Sequence, residues 1–101
     1  MVARLVRFEG INDAEWGIGS NWFEHDYLPM AEHADGFEGA YLFADRDRGT
    51  VVSVTLWRDH ETAAASEAVV RGHLEHYEQI MGRGWTMETF DVTLARAPVS
   101  L

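Results

Sequence analysis

The segment Thr50–Arg58, TVVSVTLWR, is typical of a β-strand, and both of its faces are rich in apolar side chains. Side chains alternate along a strand, so Val52, Val54 and Leu56 share one face. The opposite face carries Val51, Ser53, Thr55 and Trp57. A sheet built around such a strand needs cover on both sides, because large exposed apolar patches are rare on soluble monomers.

The remaining segments have the patterns of further strands and helices. Strand patterns occur at Met1–Glu9, Gly39–Asp45 and Thr86–Arg96, and helical patterns occur at residues 13–34 and Asp59–Met81. The polar turn from Asp45 to Gly49 joins two strand patterns and indicates a hairpin. The tail Ala97–Leu101 is expected to be ordered only if something packs on it.

The first helix is expected to be broken or kinked. Asp13 is its predicted N-cap, and Gly36 is predicted to stop it. Gly17 and Gly19 weaken its middle, and Pro29 removes a backbone donor. Its predicted apolar face consists of Trp16, Phe23, Tyr27, Met30 and Ala34.

The second helix has clear boundaries. Asp59 is its predicted cap and Gly82 its predicted end. Its apolar positions, spaced by four, three and four residues, are Val70, Leu74, Tyr77 and Met81.

The order of these elements predicts an α+β, ferredoxin-like βαββαβ domain over residues 1–101. Both helices would cover one face of a four-stranded antiparallel sheet. In Thr86–Arg96, an apolar row of Phe90, Val92 and Leu94 would add to the uncovered face. We therefore expect a homodimer in which two sheets meet face to face.

Composition excludes several classes of protein. The 101 residues include no cysteine, so the chain has no disulfide framework, thiolate metal site or thiol nucleophile. A net charge of −9 argues against a nucleic-acid partner. No apolar run is long enough to span a membrane, and no secretory signal is evident, so a cytoplasmic protein is expected.

Three stretches resemble a known superfamily. They are Asp35–Leu42 (DGFEGAYL), the turn Asp45–Gly49 (DRDRG) and Val52–Trp57 (VSVTLW). They are similar to the dimeric α+β barrels, and most of all to the antibiotic biosynthesis monooxygenase group. That group has a Gly-Phe-x-Gly entry to its second strand, and its third strand ends in tryptophan before an acid-capped helix.

The resemblance implies a homodimer with a pocket in each subunit between the sheet and the helices. Some members of the superfamily are cofactor-independent oxygenases of aromatic polyketides, and others bind or cleave heme. In the heme degraders a first-strand asparagine, a third-strand tryptophan and a helix histidine form the site. Trp57 matches the tryptophan, but Arg7 stands at the expected first-strand position, and His73 or His76 would have to supply the histidine.

Trp57 is the first candidate for binding a substrate. Ser53 and Thr55 share its face and are small and polar, which leaves room beside the indole for a planar ligand. The alternative is that Trp57 packs on the second helix. Arg7 or Tyr41 would hold a polar edge of the ligand, although a structural ion pair of Arg7 with Glu9, Glu88 or Asp91 is also open.

Two positions on the predicted helices could also contribute to binding. Trp22 lies off the apolar line of the first helix and, near Gly17 and Gly19, would suit a flexible lid. Tyr77, on the apolar line of the second helix, is a further candidate for substrate contact.

Histidines are the candidate proton acceptors, because imidazole gains and loses protons near neutral pH. His73 and His25 are the candidates for this role. His73 and His76, three residues apart on one helix, could also bind a metal or heme, but flanking glutamates favour a solvated stripe.

Three functions remain open at this stage. The first is a cofactor-independent monooxygenase acting on a planar aromatic or quinone-like substrate, with no resident metal. The second is a non-catalytic barrel that binds a small apolar ligand or heme. The third is a structural dimer with a filled interior.

Overall fold

The structure, a computed structural model, describes residues 1–82 and 84–96, apart from the side chains of residues 80 and 81. The predicted order of elements is confirmed within these ranges. The elements are β1 (Val2–Phe8), α1 (Asp13–Trp22), a π-helical turn (Phe23–Tyr27), α2 (Leu28–Glu32), β2 (Phe37–Asp45), β3 (Thr50–Trp57), α3 (His60–Met81) and β4 (Trp85–Asp91).

The four strands form one antiparallel sheet in the order β2-β3-β1-β4. The two central strands are the first and third in sequence, as a ferredoxin-like sheet requires. Val2 pairs with Trp57 on β3 and with Asp91 on β4, and these pairs define the register of both neighbours of β1. The predicted α+β fold class is confirmed.

The β2–β3 hairpin is tied to the start of the first helical segment. Gly49 has a φ of +68° and its carbonyl accepts a 3.0 Å hydrogen bond from the Ile11 amide. A Cβ on Gly49 would lie 2.8 Å from the Ile11 carbonyl oxygen. Both the backbone conformation and this close approach favour glycine at the position.

The first helical segment departs from the prediction in two ways. Its N-cap is Asn12 rather than Asp13, because the Asn12 side chain and Glu15 form a reciprocal capping box. The break in the helix is a π-helical turn, which adds a residue to one turn. The wider turn places Trp22 and Tyr27, five residues apart, on the same side of the helix, and both belong to the core cluster.

Helix α3 follows the predicted pattern. Asp59 caps it through a 2.8 Å hydrogen bond from the Thr62 amide, and Gly82 ends it with a φ of +68°. Val70, Leu74 and Tyr77 are buried against the sheet.

Strand β4 is shorter than predicted and ends at Asp91 instead of Arg96. The Val92 amide still donates to the Met1 carbonyl, but residues 92–96 do not continue the ladder. Leu94 is exposed. The tail 97–101 lies outside the described residues.

The sheet has two different faces. The covered face lies under the helices and includes Val2, Arg4, Val6, Phe8, Ser53, Thr55 and Trp57, all of them buried. The open face has no helix over it within the described residues, and its side chains include Leu5, Tyr41, Phe43, Val52, Val54, Leu56 and Phe90.

Candidate functional site

A small cavity lies between α1 and the covered face of the sheet. Its volume is about 40 Å³. The lining is mostly apolar, with Glu15 and Ser20 adding polar groups. Aromatic rings come from the strands and from both helices: Phe8, Trp16, Trp22, Phe23 and Tyr77.

The cavity walls are held by ring contacts. The Trp22 ring lies 4.7 Å from the Tyr77 ring, and Phe8 meets Tyr77 edge-on at 5.0 Å. Gly19 lets α1 come close, since a Cβ there would lie 3.3 Å from the Tyr77 hydroxyl. The structure thus places two of the sequence candidates, Trp22 and Tyr77, together at the cavity.

Trp57 lies elsewhere on the covered face and does not line this cavity. It is 0% exposed, and its indole N–H donates a 2.9 Å hydrogen bond to the Thr55 hydroxyl. The space that the small residues Ser53 and Thr55 leave beside it is filled by Arg4, whose guanidinium lies 5.1 Å from the ring centroid. Phe37 packs edge-on at 5.8 Å.

Arg7 and Tyr41 are on the other side of the sheet. Arg7 is exposed and forms a 3.7 Å ion pair with Glu9, one of the pairings left open by the sequence. Tyr41 is 48% exposed on the open face and stacks on Phe43 at 5.8 Å. Neither side chain meets Trp22 or Tyr77 at the cavity.

The histidines differ in burial. His73 on α3 is partly buried, one helical turn before Tyr77. His25 is exposed on the π-helical turn, and His76 is exposed on α3. His60 is also exposed, and its Nε2 lies 2.6 Å from Asp91. Among the described residues, no group of three or more histidines and carboxylates is placed to hold a metal ion.

The most unusual polar residue is Arg4, which is 2% exposed and was not among the site residues predicted from the sequence. Its two terminal nitrogens bind the Ser66 hydroxyl at 3.2 Å, and one also donates to the Ala63 carbonyl. Burial lowers the pKa of Arg4, which nonetheless stays charged because a guanidinium titrates far above neutrality. The sequence does indicate that Arg4 is buried, because it lies between Val2 and Val6 on one face of β1.

Tyr27 lies beside Arg4 and was expected only as a core residue. It is 1% exposed, and burial raises the pKa of its hydroxyl against the opposing effect of the Arg4 charge. The hydroxyl therefore keeps its proton at neutral pH. Its ring stacks on Phe23 at 5.3 Å and packs on Trp22 at 5.4 Å, so Tyr27 connects Arg4 to the cavity wall.

A second depression is a groove of about 410 Å³ between α2 and α3. Its apolar lining includes Met30, Ala34, Ala65 and Val69. Asp35, Arg58 and Glu61 bring charge to it, and Arg58 binds Asp35 at 3.3 Å. Ser66 also lines this groove, and its hydroxyl accepts hydrogen bonds from Arg4 and donates one to the Ala63 carbonyl.

No protein-family model matches the sequence, and no curated protein matches it with statistical significance. Solved structures do match. SnoaB, a cofactor-independent oxygenase from Streptomyces nogalater, is 20% identical, with a TM-score of 0.70 over 93% of this chain and 94% of that chain. The monooxygenase ActVA-Orf6 of Streptomyces coelicolor, in complex with nanaomycin D, is 15% identical, with a TM-score of 0.73 over 96% and 91%.

The chain therefore shares its fold with these oxygenases. The resemblance seen in the sequence is thereby confirmed at the level of architecture. MhuD, with two manganese protoporphyrin IX molecules bound per active site, also shares the fold at 18% identity and a TM-score of 0.70, covering 97% of this chain and 100% of that one.

A heme site needs an axial ligand to the iron, and histidine is a common one. None of the five histidines lines the cavity under α1, so this cavity offers no imidazole to a heme iron. The cavity residues therefore do not fit heme. Separately, no helix in the described part of the chain has the length and apolarity needed to cross a membrane.

Proposed function

We propose that the protein is a small monooxygenase-like enzyme that acts on a planar aromatic or quinone-like substrate between its sheet and helices. The observation that carries this proposal is the aromatic cavity under α1. Apolar cavities with a few polar groups are the usual form of small-molecule sites. The fold shared with SnoaB and ActVA-Orf6, both described as oxygenases, supports the oxidative chemistry.

The substrate would enter by displacement of α1. A volume of about 40 Å³ suits only a few waters, so an aromatic ligand requires the helix to move outward. Gly17 and Gly19 each weaken the helix by about 1 kcal/mol relative to alanine. The segment that moves would end at the π-helical turn, Phe23–Tyr27. In this proposal Trp22 moves with α1 and Tyr77 stays as the floor.

His73 is the proposed proton acceptor. It is the one partly buried histidine, and it lies one turn from Tyr77 on α3. It does not line the closed cavity, so the proposal requires that the displacement of α1 also brings the substrate within reach of His73. His25 is exposed on the π-helical turn, which favours His73 for the role.

The proposed reaction needs no bound redox group. His73 removes a proton from an activated CH₂ carbon of the substrate, and the resulting carbanion gives one electron to O₂. A C–O bond forms to give a hydroperoxide, and loss of water leaves a carbonyl. One oxygen atom enters the product and the other leaves as water, so O₂ is the only oxidant.

Oxidation of anthrones and quinols by the purified protein tests the proposal. We expect O₂ consumption and carbonyl formation, with His73→Ala slowing turnover about 100-fold or more, as loss of a general base does. The matched control is His76→Ala, an exposed histidine on the same helix, which should keep full activity. No oxidation of either substrate class, or equal rates in the two variants, would contradict the proposal.

We also propose that two copies pair through the open face of the sheet. Tyr41, Phe43 and Phe90 are each about half exposed there, and they adjoin the apolar row of Leu5 and Val54. Such a contiguous apolar surface is typical of an interface. This pairing is the homodimer that the alternating pattern of β3 predicts.

Light scattering tests the dimer. The wild-type protein should have twice the 11.4 kDa chain mass, and Phe43→Asp should shift it to the chain mass. Ile18→Asp is the control, because Ile18 is equally exposed but lies on α1, away from the open face. A wild-type monomer at micromolar concentration would refute the dimer.

Heme binding is the alternative that the fold shared with MhuD supports. The cavity residues do not favour it, as shown above. Adding hemin should therefore give no Soret band. A band that disappears in His73→Ala would replace the oxygenase proposal with heme binding.

A further inference from the structure

The cavity under α1 contains a buried hydrogen-bond donor that has no partner in the described part of the chain. Trp16 lines this cavity and is 6% exposed. Its indole Nε1, which can only donate, is buried and forms no hydrogen bond there. An unmet buried donor costs about 1–3 kcal/mol. Because buried indole N–H groups usually find an acceptor, we expect one from whatever occupies the cavity.

The polar side chains of the lining do not supply this acceptor. Glu15 accepts a 3.0 Å hydrogen bond from the Asn12 amide, in the capping box at the start of α1. Ser20, four residues after Trp16 on the same helix, is exposed. The other residues of the lining are apolar or aromatic. An acceptor for Trp16 would therefore come from a molecule bound in the cavity.

Contacts with the β2–β3 hairpin hold Trp16 in place. The Ile11 amide donates to the Gly49 carbonyl at 3.0 Å. The Arg46 guanidinium, in the hairpin turn, lies 5.3 Å from the centroid of the Trp16 ring, a distance at which a cation is attracted to an aromatic face. Gly17 follows directly, so the helix is weakened only after Trp16. The indole can thus stay with the sheet when the later part of α1 moves outward.

The charges at the cavity favour an uncharged ligand. Glu15 brings a negative charge to the lining, which repels an anion. Arg46 packs on the Trp16 ring but does not itself line the cavity. The apolar and aromatic part of the lining suits a planar ring system. A neutral aromatic molecule with an acceptor oxygen, such as a ketone or a quinone, meets both requirements.

We propose that the indole N–H of Trp16 recognises the substrate by donating a hydrogen bond to an uncharged carbonyl oxygen. This contact selects aromatic ketones and quinones over hydrocarbons and organic anions of similar size. The inference rests on the proposed function, since it takes the cavity under α1 as the substrate site. It adds the residue that selects the substrate and the chemical group that is selected.

A calorimetric titration with three bicyclic ligands tests this inference. 1-Tetralone carries one carbonyl, tetralin is the same ring system without oxygen, and 1-naphthoate carries a carboxylate. We expect 1-tetralone to bind about tenfold more tightly than the more apolar tetralin, because only the ketone satisfies the buried donor. 1-Naphthoate should bind at least tenfold more weakly than 1-tetralone. Tetralin or 1-naphthoate binding as tightly as 1-tetralone, or no binding of any of the three, would overturn the inference.

A pair of variants locates the donor. Trp16→Phe removes the N–H and keeps an aromatic ring. The smaller ring changes the packing of both 1-tetralone and tetralin, so the ratio of their affinities isolates the hydrogen bond. We expect this ratio to fall from about tenfold to one or less. Trp22→Phe, which removes a second indole at the same cavity, is the matched control and should keep the wild-type ratio. An unchanged ratio in Trp16→Phe, or an equal fall in Trp22→Phe, would refute the role of Trp16.

Nuclear magnetic resonance decides the question in the wild-type protein if Trp16→Phe does not fold. The chain has four tryptophans, and each gives one indole N–H signal. 1-Tetralone should shift the Trp16 signal downfield, as a new hydrogen bond does, and tetralin should not. A downfield shift at another tryptophan, or at none, would contradict the inference.

The results also separate this inference from the oxidation. Carbonyl-selective binding through Trp16 without oxidation of anthrones or quinols would keep the binding site and refute the enzyme. Oxidation without a preference for 1-tetralone would keep the enzyme and refute the role of Trp16.

Discussion

The same strands supply side chains to both faces of the sheet, but the two faces differ in which groups they bury and which they expose. On β1, Arg4 is buried under helix α3, whereas Arg7, three residues later, is exposed beside Glu9. On the covered face the helices bury the Arg4 guanidinium and the Tyr27 hydroxyl. On the open face Tyr41 and Phe43 present aromatic rings to solvent. The usual placement of polar and apolar groups is thus partly inverted on both faces.

The largest expected difference between the faces is in stability. Trp57→Ala, on the covered face, should lower the free energy of unfolding by about 3–5 kcal/mol, because it leaves a cavity in a packed core. Phe43→Ala, on the open face, removes a ring that is 55% exposed. For a single chain, this variant should lower the free energy of unfolding by less than about 1 kcal/mol. Any further loss of unfolding free energy should grow as the protein is diluted.

Urea unfolding at two protein concentrations measures both effects. A large loss for Phe43→Ala that does not depend on concentration would mean that the open face is packed within the single chain. The comparison between the faces would then be wrong.

A smaller effect is expected in alkali. Burial raises the pKa of Tyr27 above its ordinary value of 10.0, so in the unfolded chain this hydroxyl loses its proton first. Its contribution to stability is complete below about pH 10 and declines as the pH rises toward the folded-state pKa, with a slope of at most about 1.4 kcal/mol per pH unit. Tyr27→Phe should lack this part of the decline.

Tyr41→Phe on the open face is the control for this alkaline effect, and it should decline as the wild-type protein does. Thermal melts from pH 8 to 11 give the measurement. Equal curves for the two variants would show that Tyr27 ionises as easily as an exposed tyrosine.

The smallest effect concerns the cap of α3, the helix that covers the sheet. Hydrogen bonds from the Thr62 amide and hydroxyl, at 2.8 and 2.9 Å, together with the nearby Arg58, lower the pKa of Asp59 below its ordinary 3.8. Because the folded-state pKa is lowered, the stabilisation is present above about pH 4 and is lost as the pH falls through that lowered value.

Asp59→Ala should therefore lower the melting temperature at neutral pH, and its difference from the wild-type protein should shrink in acid. Asp47→Ala, in the exposed hairpin turn, should show no such convergence. A constant difference for Asp59→Ala from pH 2 to 7 would show that the carboxylate does not act through its charge.

The order of strands and helices could be predicted because local signals carried it. Asp59 caps the start of α3, Gly82 ends it, and Gly49 closes the hairpin, as expected from their residue types. The end of β4 could not be predicted in this way. Val92 and Leu94 continue the alternating pattern, but the ladder with β1 ends at the Val2–Asp91 pair, followed only by the hydrogen bond from Val92 to Met1.

The candidate site was harder to predict, because it depends on contacts between elements distant in the sequence. Small residues on β3 suggested free space beside Trp57, yet the neighbouring strand brings Arg4 opposite Thr55 and fills it. Trp22 and Tyr27 share one side at a spacing of five residues because of the π-helical turn, and no residue type signals this turn by itself. Alternation along a strand puts Arg4 and Arg7 on opposite faces of the sheet, but it does not say which face the helices cover.

The π-helical turn has a consequence for the permitted length of this chain. Removing one residue between Phe23 and Tyr27 would let the π-helical turn close to an ordinary α-helical turn. Trp22 and the tyrosine would then be four residues apart and would still share one face of the helix, whereas a further inserted residue would rotate everything after it by about 100° relative to α1. A natural or engineered homologue shorter by that single residue would therefore keep the same interior under a regular helix.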